Sequence, residues 1–281
     1  MKKQLLTSSI LLFVERGIVV ITSFLLTPFF INELGSTHYG LWLLILSILG
    51  WFNVVDLGFP QAVQRQIVQA LELKDTKRVN VVFSTGIVLF TVLGGFSVLT
   101  LVGLTSVPAI FGIEGVDQIT LIDILLVLSV KVLWGFMMNP FHGFFSGMLR
   151  FDIDANLSSL NAIVKAILVF ILLSDLNIWG AVVATLASDV ITNTLKVFYA
   201  KRLFPPLKFS FKLVSRKEIF DLFSYSKHLV INGVAATIGN KSQPIMITQL
   251  FDLPSLTLAS IASNLIMHTT AFVSSITGVF S

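Results

Sequence analysis

The stretch LIDILLVLSVKVLWGFMMNPFHGFF, residues 121–145, decides the fold class of this chain. About 20 helical residues, each rising about 1.5 Å, cross the ~30 Å core of a bilayer, and this stretch is longer than that. Its centre carries Lys131, although a charge at the middle of a bilayer costs roughly 2.5–3.5 kcal/mol. The stretch therefore predicts a membrane-spanning helix that turns one face away from lipid.

The composition of the whole chain agrees with a membrane protein. Of its 281 residues, 55% are hydrophobic and only 12% are charged, which is too few to cover a soluble protein of this length. The absence of cysteine excludes disulfides, thiolate metal sites and cysteine nucleophiles. The pI of about 9.4 does not indicate nucleic acid, because the basic residues lie in loops between apolar segments. No cofactor is indicated.

Eight apolar segments are long enough to span a bilayer, and none alternates like a barrel strand. We therefore predict an all-α integral membrane protein, a polytopic bundle of about eight transmembrane helices. The segments are Leu5–Ile31, Tyr39–Asp56, Val81–Leu104, Leu121–Phe145, Leu157–Leu173, Trp179–Tyr199, His228–Leu250 and Leu256–Val279.

The charges of the connecting loops predict the orientation. Four of the 19 basic residues lie within spans, and the other fifteen all fall in loops or span ends on one side of the membrane. The loops of the other side hold no basic residue, and basic loops remain in the cytoplasm. We therefore expect a multi-pass protein of the cytoplasmic membrane with a cytoplasmic amino terminus.

A basic linker divides the chain into two lobes. It covers residues 200–227, and inside it Ser215 and Glu218 match a capping box ahead of an apolar stretch. The pattern predicts a short amphipathic helix on the inner leaflet, although an ordinary basic loop that fixes topology is equally compatible. The predicted units are a six-helix lobe (residues 1–199), the linker (200–227) and the first two helices of a second lobe (228–281).

Charged residues near the centres of the spans indicate a functional site. The basic ones outnumber the acidic ones by two, so that pairing cannot neutralise them all, and lysine at mid-depth is too far from either interface to snorkel. We predict a shared cationic cavity that binds an anionic substrate. The cations are Arg16, Lys131, Lys165 and Lys241, and the acids are Glu15 and Asp189.

Several polar residues in the spans leave two interpretations open. Asp189 and Glu15 are candidates for proton or sodium coupling, or for simple ion pairing. In the second case, the partner of Asp189 would be Lys196 or a cation on another helix. His142 is better explained as a hydrogen-bonded structural histidine than as a pH sensor. The many Ser and Thr positions are typical of contacts between membrane helices.

The region from residue 16 to residue 85 resembles a known family. Pro28, the segment LGSTHYGLW (34–42) and the segment DLGF (56–59) with Arg65 after it resemble the motifs of Wzx-type polysaccharide and O-antigen flippases. These belong to the multidrug/oligosaccharidyl-lipid/polysaccharide exporter superfamily. The motif positions carried over are Pro28, Gly35, Tyr39, Gly40, Asp56, Gly58 and Arg65. Physically, Gly35 and Gly40 suit a tight turn, and Tyr39 and Trp42 suit an interfacial aromatic belt.

The resemblance implies a transporter that is not an enzyme. Its cargo would be a glycan on undecaprenyl pyrophosphate, moved across the bacterial inner membrane by alternating access between two lobes. A pyrophosphate would explain the cationic cavity, while membrane lipids would hold the polyprenyl tail. The family typically has twelve to fourteen spans, so we expect this chain to be an amino-terminal fragment, with an eight-span protein completed by dimerisation as the alternative.

Two other functions are compatible with a membrane bundle. A multidrug exporter of the same superfamily would carry cationic compounds, which the midspan cations disfavour. A membrane glycosyltransferase or polymerase would need loop carboxylates able to hold a metal, and Asp152 and Asp154 form the one DxD-like pair. The lone pair is a weak signal for catalysis.

Overall fold

The protein is a bundle of long α-helices. The computed structural model describes the backbone of residues 2–52, 59–264 and 266, and within these ranges the side chains except those of 2–10, 108, 109, 116 and 227–241. The helices are α1 (Lys2–Phe52), α2 (Phe59–Glu72), α3 (Thr76–Thr105), α4 (Val116–Gly147), α5 (Phe151–Leu176), α6 (Ile178–Leu203), α7 (Arg216–Leu250) and α8 (253–264). Short 3-10 helices lie at Pro108–Phe111 and Phe211–Leu213.

The all-α membrane fold predicted from the sequence is confirmed. Within the described residues, five helices are long and apolar enough to cross a membrane: α1, α3, α4, α5 and α6. The apolar part of α1 alone has 42 residues, Leu11–Phe52, and covers most of the first two predicted spans. The predicted seventh span lies in α7, and most of the predicted eighth lies outside the described residues.

Gly35 separates the two halves of α1. Its φ of 73° and ψ of 172° are non-helical, and a left-handed φ favours glycine because it has no Cβ. The two halves therefore form separate spans, as the predicted turn at this position requires. Pro28 lies within the first half.

Gly40 is needed for a close contact rather than for a turn. A Cβ at this position would lie 2.2 Å from the carbonyl oxygen of Leu253, at the start of α8. The prediction of a turn at Gly40 is therefore wrong, since the residue is helical and allows two chain segments to touch. Close to this contact, Thr257 Oγ1 donates to the Ser36 carbonyl oxygen at 2.7 Å.

The predicted interfacial belt at Tyr39 and Trp42 is also wrong. Both side chains are buried, and both stack on Phe30, with ring centroids at 5.5 and 6.2 Å. Phe30 belongs to the first half of α1, so the kink at Gly35 folds the chain back far enough for these rings to meet. The aromatic residues therefore hold the two halves together instead of facing lipid head groups.

The most extensive helix packing is between α3 and α4 and between α5 and α6. Phe83 of α3 packs edge-on against Phe141 and Phe144 of α4, with centroids 5.0 and 5.7 Å apart. The carboxyl-terminal end of α4, the amino-terminal ends of α3 and α5, and the segment 204–215 form one end of the bundle, which we call the basic end. It is the end predicted to be cytoplasmic.

Helix α2 lies at the basic end and was not predicted. Its apolar residues recur at helical spacing and are buried against α3, α4 and α7, whereas its polar residues face outward. On its polar face, the Arg65 guanidinium lies 5.1 Å from the centre of the Tyr225 ring of α7. This cation–π contact gives one motif position a structural role. Asp56 and Gly58 lie outside the described residues.

The predicted capping box at the start of α7 is not formed. The Ser215 side chain makes no cap hydrogen bond; its backbone N–H donates instead to Thr85 Oγ1 of α3 at 3.1 Å. Glu218 turns toward Arg78, with 3.6 Å between Oε1 and Nε. The predicted short surface helix is the first part of α7, which continues without interruption through the predicted seventh span, with Pro244 inside the helix.

Candidate functional site

A polar cluster joins α4, α5 and α6 at mid-depth. Lys131 Nζ of α4 donates to Asp189 Oδ2 of α6 at 2.5 Å, and Asn161 Nδ2 of α5 donates to Asp189 Oδ1 at 3.0 Å. Asn161 also donates to Thr192 Oγ1 at 3.0 Å. All these residues lie at least ten positions from either end of their helices, or about 15 Å. Asp189 is therefore a shared acceptor for two helices, and its cationic partner lies on another helix, α4.

Lys165 is the second cation of this cluster. It lies one helical turn after Asn161 on α5, within electrostatic range of both Lys131 and Asp189. Within the described part of the chain, its ammonium has no carboxylate within 4.0 Å. The described part of this cluster therefore holds two lysines and one carboxylate.

A cavity of about 400 Å³ opens beside the ion pair. It lies between the second half of α1, α4 and α6, and its charged lining residues among those described are Lys131, Asp189 and Lys196. Asn139 and Asn193 add amide groups, and Leu46, Phe52 and Phe136 form its apolar walls. The cavity therefore carries one more ammonium than carboxylate, together with hydrogen-bond donors suited to an oxyanion.

A second polar cluster lies closer to the basic end. His142 Nδ1 of α4 hydrogen-bonds Asp154 Oδ2 of α5, as expected for a structural histidine. The Glu15 carboxylate of α1 is within electrostatic range of both, and Lys196 approaches the same pair from α6. Lys196 thus connects this cluster with the cavity.

This second cluster corrects the predicted depth of Arg16. His142 and Asp154 lie within five residues of the α4 and α5 ends, and the Glu15 carboxylate is close enough to interact electrostatically with both. Arg16 is therefore near the basic end, exposed, and not among the described cavity-lining residues. The Lys241 side chain lies outside the described residues.

The sequence also matches a known family over nearly its full length. A model of the family described as polysaccharide biosynthesis protein matches residues 5–280. The chain belongs to the polysaccharide biosynthesis protein family. A relative within the curated proteins is the uncharacterized membrane protein EpsK of Bacillus subtilis (strain 168), 23% identical over 224 residues, which cover 78% of this chain and 44% of EpsK.

Solved transporters share the fold of this family member. An inward-facing multidrug resistance MATE family transporter of the MOP superfamily superposes with a TM-score of 0.69 at 17% identity, over 92% of this chain and 58% of that one. A second match is a MOP superfamily transporter from Pyrococcus furiosus Vc1 (DSM3638), whose binding pocket is described as having reverse polarity. It superposes with a TM-score of 0.68 at 17% identity, over 98% of this chain and 69% of that one. The chain spans about half the length of the first of these relatives, 44% of EpsK and 58% of the MATE transporter.

The DxD-like pair of this family member is engaged in ion pairs. Asp152 binds Arg150 through two parallel hydrogen bonds of 2.8 and 2.9 Å, and Asp154 binds His142. The neighbouring carboxylate raises the pKa of the Arg150 guanidinium, which lies in the turn between α4 and α5. Both carboxylates therefore serve to hold the α4–α5 turn at the basic end of the bundle.

The cavity contains one residue whose role the sequence did not reveal. Lys196 was counted among the basic residues of the cytoplasmic side and considered as a partner of Asp189, seven residues before it on the same face of α6, but not as a cavity residue. That spacing was a usable signal, since seven residues bring a helix to within about 20° of its starting direction.

Proposed function

We propose that the protein containing this chain is a flippase for a lipid-linked oligosaccharide, a glycan carried on undecaprenyl pyrophosphate. It moves this substrate across the bacterial inner membrane by alternating access, with its amino terminus in the cytoplasm. The observation that carries the proposal is the mid-depth cavity with Lys131 and Lys196 in its wall, in a member of the polysaccharide biosynthesis protein family. Residues 1–199 act as one lobe, 200–227 as the linker and 228–281 as the start of the second lobe.

The ion pair at Asp189 suggests how an anionic substrate is received. Lys131 already donates to Asp189, so a pyrophosphate entering the cavity competes with that carboxylate for the same ammonium. Lys196 and Lys165 supply the additional positive charge. A phosphate that captures Lys131 leaves Asp189 with Asn161 alone, and the carboxylate is then free to take up a proton or a sodium ion. Substrate binding and ion coupling would therefore be linked through Lys131, which exchanges Asp189 for the phosphate as its partner.

A cationic substrate fits this cavity less well. Its one described carboxylate is neutralised by Lys131, and a further ammonium remains in the wall. A cation would have to break the ion pair and approach two like charges, which is unfavourable in a partly dry site. The multidrug alternative therefore requires a different binding place.

Binding to the purified chain in lipid nanodiscs tests the polarity of the cavity. The probes are fluorescently labelled farnesyl pyrophosphate, the corresponding monophosphate, and ethidium as a cation. We expect the pyrophosphate to bind most tightly, and Lys131→Gln or Lys196→Gln to weaken it about tenfold, as expected for the loss of a charged hydrogen bond. Lys77→Gln removes an exposed lysine outside the cavity and is the matched control. Tighter binding of ethidium, lost in Asp189→Asn, would refute the proposal.

Glycan export in cells tests the transport step. In a strain that depends on this gene for surface glycan, Lys131→Ala is expected to abolish export while membrane insertion is unchanged, whereas Arg16→Ala is expected to retain export because Arg16 does not line the cavity. The same experiment with Lys165→Ala and Lys241→Ala tests the other two predicted substrate-binding cations. Export at wild-type level in a variant removes that residue from the mechanism.

A further inference from the structure

A second and larger cavity lies on the other side of α4. Its volume is about 520 Å³, and it is enclosed by α3, α4, α6 and the segment 204–215. The walls are almost entirely apolar and include Phe83, Val88, Met137 and Phe141. Within the described part of the chain, Lys201 is its one charged lining residue. The cavity therefore combines a hydrocarbon-like interior with a single cation.

The segment 204–215 is held in place by hydrogen bonds to one face of α3. The Asn80 side chain donates to the Pro206 carbonyl oxygen at 3.0 Å and accepts from the Lys208 N–H at 2.9 Å. Ser84 Oγ donates to the Lys208 carbonyl oxygen at 3.3 Å and accepts from the Ser210 N–H at 3.2 Å. The segment is thus a fixed wall of the cavity.

Two exposed aromatic residues stand on this wall. The Phe209 and Phe211 rings pack edge-to-face with centroids 5.0 Å apart, and 74% of Phe211 is exposed. Both line the cavity at the basic end of the bundle. Exposed rings beside an apolar cavity are typical of a surface that lies in the interfacial region of a membrane.

The depth of the cavity corresponds to one leaflet. Its lining along α3 runs from Phe83 to Val92, nine residue steps or about 14 Å at the helical rise. Half of a ~30 Å hydrocarbon core is about 15 Å. The cavity therefore has the length of one leaflet, which suits an acyl chain, whereas a long polyprenyl chain would extend well beyond it.

The charge at the mouth indicates an anionic head group. Lys201 is exposed near the end of α6, and within the described residues no carboxylate lies within 4.0 Å of it. Arg202 follows directly, and Lys208 and Lys212 belong to the adjoining segment. We propose that this cavity binds one acyl chain of an anionic phospholipid from the leaflet at the basic end, with the lipid phosphate held by Lys201. The site is separate from the substrate cavity across α4 and does not depend on what the protein transports.

Native mass spectrometry of the full chain tests the proposal. The protein is released from nanodiscs that contain equal amounts of phosphatidylglycerol, phosphatidylethanolamine and undecaprenyl phosphate. We expect one retained phosphatidylglycerol per chain. Lys201→Gln is expected to lower the preference for phosphatidylglycerol over phosphatidylethanolamine about fivefold, the effect of one basic residue near an anionic surface. Lys77→Gln also removes one positive charge at the basic end, but outside the cavity. It is expected to leave the preference for phosphatidylglycerol unchanged.

A second variant separates the cavity from the surface charge. Val88→Trp fills the cavity from α3 and is expected to remove the retained lipid whatever its head group, while the far-ultraviolet circular dichroism stays that of the wild type. Retention of undecaprenyl phosphate in place of phosphatidylglycerol would overturn the proposal. So would a wild-type protein without head-group preference, or the same response to Lys201→Gln and Lys77→Gln. None of these outcomes bears on pyrophosphate binding in the other cavity.

Discussion

Lys131 of α4 and Asp189 of α6 form an ion pair of 2.5 Å at mid-depth in the bundle. About a third of the Lys131 side chain and a quarter of the Asp189 side chain remain accessible, at 32% and 23%, so that the pair is open to the adjoining cavity. An ion pair that faces a cavity is both a contact between helices and a place where a ligand can take over one of the partners. These two roles are separable by mutation.

Replacing Asp189 by asparagine should destabilise the bundle. The substitution leaves Lys131 and Lys165 without a carboxylate, and we expect a loss of about 1–3 kcal/mol, as for other hydrogen bonds to charged groups. The free energy of unfolding is measured by detergent titration in mixed micelles. Asp175→Asn, at an exposed position near the end of α5, is the control. A double variant, Lys131→Met with Asp189→Leu, should recover part of the loss, since it removes the Lys131 ammonium together with its carboxylate and leaves only Lys165 unpaired. Equal stability of Asp189→Asn and wild type would contradict the structural role.

Adding a methyl group at Gly40 should separate α8 from α1. The new Cβ would meet the Leu253 carbonyl oxygen at 2.2 Å, so the backbone of α8 has to move, at a cost of about 1–3 kcal/mol. Because the chain has no cysteine, a cysteine pair introduced at Ser36 and Thr257 reports this contact without background. We expect disulfide formation between them to fall in the Gly40→Ala variant. Gly95→Ala adds the same methyl group into open space and should leave cross-linking unchanged.

The stability of the protein should fall as the pH rises above the ordinary pKa of Glu218. Burial raises the pKa of this carboxyl above 4.5, more than the nearby Arg78 lowers it, and Oε2 has no described hydrogen-bond partner. The protonated form is therefore favoured in the folded state. Its contribution is complete below pH 4.5 and is lost as the pH passes through the raised value.

The Glu218→Gln variant isolates this effect. Glutamine cannot ionise, so the variant should lack the decline that begins above pH 4.5 and, once that decline is complete, should be at least as stable as the wild type. The measurement is the free energy of unfolding against pH. An identical pH profile for the two proteins would show that Glu218 does not contribute.

The attachment of the segment 204–215 to α3 should depend on Asn80. Asn80→Ala removes two hydrogen bonds, to the Pro206 carbonyl and the Lys208 N–H, and should free the segment at a cost of about 1–2 kcal/mol. Limited trypsin digestion measures cleavage after Lys208 and Lys212, which we expect to become several times faster. Thr100→Ala, which removes a hydrogen bond within α3 alone, should not change the rate. Unchanged cleavage in Asn80→Ala would mean that other contacts hold the segment.

The sequence predicted the spans well and the amphipathic helices poorly. Apolar length alone identifies α3 to α6, because lipid demands an uninterrupted helical segment. Helix α2 has no such run, although its apolar residues Phe59, Ala62, Val63, Ile67 and Ala70 recur on one face. The two predicted spans in α1 were also correct, since the glycine at 35 marks the kink. For helix α7 the sequence predicted two separate helices, a surface helix and a span, where the structure has one.

The sequence by itself determined that this is an all-α membrane protein and that lysines, Lys131 and Lys165 among them, lie within its spans. These properties follow from apolar length and from the cost of charge in lipid, which act on each segment separately. Only the tertiary structure decided that Asp189 belongs to Lys131, that Arg16 lies toward the basic end and that Lys196 reaches the cavity. The partner of a charged side chain and its depth in the bundle depend on how α1, α4, α5 and α6 are rotated and shifted against one another. That arrangement is set by the packing of all the helices together, and no single apolar run contains it.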